Sequence, residues 1–140
     1  MRPVLITKVT IMLQYNTMKS NKRELKQMER QLVVALTEAC ETAKAEVPGF
    51  CWLTHDNGVD HFPAGLRVTW IFDTQANLEQ ALANGFEQRA RVWTSDALEQ
   101  IGLDPGSISN CLQFDSEEAC MNFRNGNWLA RLTQIRRTRH

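Results

Sequence analysis

The chain has 140 residues, 43% of them apolar, and 16 basic side chains against 16 acidic ones. That length suits one domain with a sizeable core, and the balanced charge gives no global pull toward nucleic acid or an acidic membrane. Apolar runs of only a few residues exclude a membrane-spanning helix, and no tract is charged enough to be obliged to stay disordered.

Residues 1–17 have patchy β-like character (Val4, Ile6, Val9, Ile11, Leu13). Lys8 splits that apolar patch and no small-residue cleavage site follows, so a secretory signal is not expected. The segment reads as an extra strand, pairing at a sheet edge or with a second copy, or as a non-native extension before a natural start at Met18. A helix is expected from residue 20. Ser20 or Asn21 can cap it, since a side-chain oxygen there accepts from the first free N–H groups. Leu25, Met28, Leu32, Ala35, Leu36, Ala39, Cys40 and Ala43 recur at three- and four-residue steps, which is one helical face. Pro48 and Gly49 stop the helix by residue 47.

Phe50-Cys51-Trp52-Leu53-Thr54-His55 reads as a strand. Alternation puts Phe50, Trp52 and Thr54 on one face and Cys51, Leu53 and His55 on the other. Asp56-Asn57-Gly58 is a turn signal, because Asn and Gly accept positive φ cheaply. The returning strand, residues 66–72, turns Leu66, Val68, Trp70 and Phe72 toward a core. Asp73 or Thr74 caps a second long helix with Leu78, Ala81, Leu82, Phe86, Ala90, Trp93, Ala97, Leu98 and Ile101 on its core face. Gly85 costs about 1 kcal/mol against alanine inside a helix, which predicts a kink or break between residues 84 and 95. Gly102 suits a C-terminal cap.

Past the turn at Asp104-Pro105-Gly106, Ile108, Leu112 and Phe114 alternate as a third strand. Asp115 with Glu118 has capping-box spacing for a short helix, which Asn125-Gly126-Asn127 breaks. Trp128, Leu129 and Leu132 form a last helical turn before a basic tail at residues 133–140. The expected fold is one α+β domain over residues 1–140, with a small antiparallel sheet of three or more strands and two long helices packed on one face.

The cysteines Cys40, Cys51, Cys111 and Cys120 show no CxxC spacing. With no export signal, free thiols in a reducing cytosol are expected. Cys51, His55 and His61, with Asp56, form the most metal-like set, since zinc takes thiolate and imidazole ligands. One cysteine and no locally paired spacing make a buried thiol and loop histidines the plainer reading, and no metal or cofactor is assigned. Cys51 with His55 also suggests a nucleophile and base, but thiolate activation needs an electropositive, open setting, and Cys51 lies between Phe50 and Trp52. No phosphate-binding glycine loop, HExxH, GxSxG or EF-hand pattern is present. The four tryptophans read as core, with Trp52 and Trp70 side by side across the hairpin and Trp93 reaching the sheet. The functional alternative is a stacking face flanked by Arg67 and Arg91. Lys19, Lys22, Arg23, Lys26 and Arg30 cluster near one helix start, and Arg136, Arg137 and Arg139 at the chain end. They read as solvated ends or as a nucleic-acid footprint.

The order helix, strand, strand, divided helix, strand over about residues 24–114 resembles a type II KH domain. The KH GxxG loop would lie between the halves of the divided helix, where Ala83-Asn84-Gly85-Phe86-Glu87 carries one glycine and an acid. The run Gly49-Phe50-Cys51-Trp52-Leu53-Thr54-His55, with Phe62-Pro63, Phe72-Asp73-Thr74 and Asn127-Trp128, also resembles a group of small uncharacterised gammaproteobacterial proteins, some labelled Fis-type transcription regulators. Fis-type proteins are helical and end in a helix-turn-helix, whereas a strand is expected here at residues 108–114. The first resemblance is one of layout only, and the second supplies no activity. The leading expectation is a non-catalytic binding or regulatory module of the bacterial cytosol, self-associating as a homodimer, with no membrane partner. The alternatives are nucleic-acid binding and small-ligand or metal binding at the hairpin loop.

Overall fold

The computed structural model describes residues 22–56, 65–104 and 111–138. Helix α1 (Lys22–Glu46) turns Met28, Leu32, Ala35, Leu36 and Ala43 into the core, the face that the three- and four-residue spacing marked. It ends at Val47-Pro48-Gly49, where Gly49 takes φ +86° and its carbonyl accepts from the Asp73 N–H at 3.0 Å. That bond ties the end of α1 to the end of the second strand.

Strand β1 (Phe50–Asp56) pairs antiparallel with β2 (Arg67–Phe72). The chain then passes through α2 (Gln75–Ala83) and α3 (Phe86–Gln100) to β3 (Leu112–Ser116). β3 pairs parallel with β2, in the order β1-β2-β3, so the sheet is mixed rather than wholly antiparallel. The crossover through two helices returns the chain to the end at which β2 began, and a strand entering there can only run parallel. Alternation along β3 looks the same in either direction. Residues 108 and 110, which the sequence reading gave to this strand, lie outside the described residues.

The divided helix is as expected. The Thr74 hydroxyl caps α2 by accepting from the Asn77 N–H, and Gly85 at φ +91° separates α2 from α3. Gly102 at φ +86° closes α3, with the Leu103 N–H reaching back to Leu98 at 2.9 Å. On the sheet's helix side Val68, Trp70, Phe72 and Leu112 pack with side chains of α1, α2 and α3. Phe86 sits among the aromatics there, 5.0 Å from Phe72 and 5.6 Å from Trp70 between ring centroids. Leu82, expected in this core, is 37% exposed, and Thr94 is buried on α3 instead.

The other face of β2 and β3 is also buried, and apart from Ile71 it is polar: Thr69, Ile71, Gln113 and Asp115 are all inaccessible or nearly so. Two C-terminal helices meet it, α4 (Glu117–Arg124) and α5 (Trp128–Thr138). Ser116, not Asp115, caps α4 by accepting from the Ala119 N–H at 3.0 Å. Asp115 instead receives both arms of Arg131, at 2.7 and 2.9 Å. α5 runs 11 residues, so the expected tail is helical through Thr138. Leu129 does not pack and is 78% exposed.

A β-bulge between Phe50 and Trp52 corrects the reading of β1. Phe50 lies opposite Phe72, but Trp52 lies opposite Ile71 and Leu53 opposite Trp70. The extra residue, Cys51, breaks the alternation, since two residues then face one. Leu53 and His55 therefore share the helix side with Phe50, and Trp52 faces the opposite way. Trp52 and Trp70 are not side by side. Trp70 stacks on Trp93 at 5.7 Å, and Trp52 meets Trp128 edge-on at 5.2 Å.

Candidate functional site

The basic residues near the start of α1 fall into a pattern. Lys22, Lys26 and Arg30 recur every four residues, so they form one stripe at intervals of about 6 Å along the axis. All three are exposed, as is Arg23. Among the described residues no carboxylate pairs with any of these four cations. Further along the helix Val33 and Val34 stand 45% and 49% exposed.

A groove of about 280 Å³ lies where this stripe meets β1, lined by Lys26, Glu29, Arg30, Val33 and His55. The bulge creates it, because it turns His55 toward α1, where its Nε2 lies 2.9 Å from Glu29 Oε2. His55 was expected beside Cys51. The two are instead separated: Cys51 sits in the bulge with its thiol 3.6 Å from the Gly49 carbonyl. Burial pushes the Cys51 thiol up from its usual range, and the Glu117 and Asp73 carboxylates push it further. That is the reverse of what nucleophile activation needs.

Among the described residues no group of three or more His, Cys, Asp and Glu side chains is placed to hold a metal ion. Lys19, His61 and Arg139 lie outside the described residues. Arg136 and Arg137 belong to α5, with only their backbone described. The aromatic stacking face is not available, since Trp70 is fully buried under Trp93 and Phe86. Its expected flanks are engaged as well: Arg67 bonds the Leu66 carbonyl and Arg91 pairs with Glu87 at 3.0 Å. No helix among the described residues is long and apolar enough to cross a membrane.

A second cavity, of about 260 Å³, was not anticipated. It lies between the end of α1 (Glu46, Val47, Pro48), one face of α2 (Asn77, Gln80, Ala81, Asn84) and the start of α3 (Phe86, Arg89). Arg89 pairs with Glu46 across its rim and lies 4.9 Å over the Trp93 ring. The amides of α2 recur at helical spacing, but a polar stripe reads first as a solvated face. Only the return of α1 over it makes a wall. The chain matches no family model, no curated protein and no solved structure.

Proposed function

We propose that this protein is a non-catalytic binding module that docks an acidic, amphipathic segment of a protein partner along α1. The observation that carries this reading is the stripe Lys22, Lys26, Arg30, unpaired among the described residues and running into two exposed valines, Val33 and Val34. A row of exposed cations favours an acidic partner and steers its approach. The valines supply the apolar contact that charge alone would lack. The groove closed by His55 gives the surface relief. The element order of the KH resemblance agrees with a binding role. The single glycine Gly85, followed by Glu87, speaks against a phosphate clamp at the α2–α3 junction. All four cysteines are free thiols, which supports a reducing cytosol as the setting.

Site-specific photo-crosslinking tests this in producing cells, with benzoylphenylalanine at Val34 and, as a control, at exposed Leu129. The expected result is a protein adduct at Val34 that charge reversal (Lys26→Glu with Arg30→Glu) removes and that Leu129 does not form. No adduct, or one indifferent to the charges, overturns the reading. An adduct at twice the chain mass identifies a homodimer instead.

A second reading, nucleic-acid binding, is favoured by the regular spacing of the stripe, which suits a row of phosphates. It requires a nuclease-sensitive adduct and an affinity for oligonucleotides that falls steeply with salt.

A further inference from the structure

The cavity at the junction of α1, α2 and α3 is separate from the α1 stripe and has its own chemistry. Its floor is apolar: Val47, Ala81 and Phe86 are 7%, 8% and 2% exposed. Its wall carries the side-chain amides of Gln80 and Asn84, neither with a hydrogen-bond partner among the described residues. At the rim stands Arg89. Its Nη2 donates to Glu46, and among the described residues no other donor of its guanidinium has a hydrogen-bond acceptor.

Trp93 lies against one face of that guanidinium and Glu46 holds one edge, so the fork is pre-oriented. A guanidinium has five donors, and those left over match a second carboxylate. The first turn of α3, beside Asn84 and Phe86, has no side-chain cap. Its free N–H groups add positive potential on the same side.

We propose that this cavity binds a carboxylate carried on a small apolar body, as in a short organic acid of about a dozen non-hydrogen atoms. The apolar body lies on Val47, Ala81 and Phe86. The carboxylate meets the free donors of Arg89. The amides of Gln80 and Asn84 bond any further polar group, since each offers both a donor and an acceptor.

The probes are hydrocinnamate, its neutral amide, and N-acetyl-Gly-Gly-Phe as a peptide carboxylate, followed on the full chain by two-dimensional amide NMR. Hydrocinnamate is expected to give saturable shifts at residues 80, 81, 84, 86 and 89. The neutral amide should bind about tenfold more weakly, and Arg89→Gln should weaken the acid by the same factor while leaving the amide unchanged. Ala81→Leu fills the floor and should abolish both. Tighter binding of the peptide would place the source in a polypeptide C-terminus rather than a free acid.

The proposal is overturned if no shift saturates at concentrations on the order of millimolar. It is equally overturned if acid and amide bind alike, or if Arg89→Gln changes neither. Charge reversal at Lys26 and Arg30 should not alter this binding, so its failure and the failure of the α1 docking surface are separately visible.

Discussion

Gly49 and Gly85 share a backbone conformation, at φ +86° and +91°, but not a setting. A Cβ on Gly49 would come within 2.7 Å of the Asn77 Cβ, whereas one on Gly85 would meet nothing within 4 Å. Gly85→Ala should therefore cost only the left-handed strain, about 1 kcal/mol. Gly49→Ala adds a collision between the end of α1 and α2, and should cost about 2 kcal/mol or more by urea denaturation. Equal losses would mean that the Asn77 contact yields freely. Asp73 works in the same corner. Its carboxylate accepts from the Asn77 side chain at 2.9 Å and the Thr74 N–H at 2.6 Å, and these bonds hold it below the usual carboxylate range. A depressed folded pKa means that the unfolded chain takes up the proton first. The stability it contributes is present above the unfolded value, about 4, and is lost as pH falls through the lower folded one. Unfolding free energy measured between about pH 5 and pH 2 should fall, and Asn77→Ala should make that fall shallower. An unchanged acid limb in the variant would remove the Asn77 bond as the cause.

At the scale of elements, α5 is the piece whose attachment the sequence hides. Asn127 caps it through a bond from the Ala130 N–H, and Trp128 meets Trp52, whose indole N–H donates to Glu117 at 2.8 Å. The deepest anchor is the Asp115–Arg131 pair, with side chains 3% and 17% exposed. Arg131→Ala strands a buried carboxylate, which should cost about 3 kcal/mol. Removing Asp115 as well takes that charge away, so Asp115→Ala with Arg131→Ala should lose less than the sum of the single changes. Strict additivity in a double-mutant cycle would show the pair to be uncoupled. The bulge at Cys51 acts on the same scale. One extra residue sends Trp52 to meet α5 and His55 to meet α1, so it builds the attachment on one face and the groove on the other.

Taken whole, the molecule buries its central strand β2 on both faces and leaves β1 half-buried, with an aromatic face under α1–α3 and a largely polar one on the side of α4 and α5. Its thiols report on that burial. Cys111 and Cys120 are 4% and 0% exposed, Cys40 and Cys51 are half-buried, and desolvation raises all four above the ordinary thiol range. A thiol reagent at pH 8 should therefore modify Cys40 and Cys51 slowly, and reach Cys111 and Cys120 only on unfolding. Rapid modification of all four in the native protein would contradict the packing described.

What the sequence determined by itself is the local part. Helical spacing marked the buried face of α1, glycines and a proline marked where helices end, and the division at Gly85 followed from one residue. These signals are complete within a few neighbours, because caps, turns and one-sided faces are short-range physics. The α+β class followed from them, as did the aromatic core around Trp70 and Trp93. Other features rest on long-range partners. The direction of β3 depends on where a crossover returns the chain. The bulge is decided by what β1 must meet on each face, and a single inserted residue leaves no mark in an alternating run. Asp115 looked like a helix cap because its other partner, Arg131, belongs to a different helix. The cavity beside Arg89 was illegible for the same reason: its wall is an ordinary polar helix face until α1 closes over it.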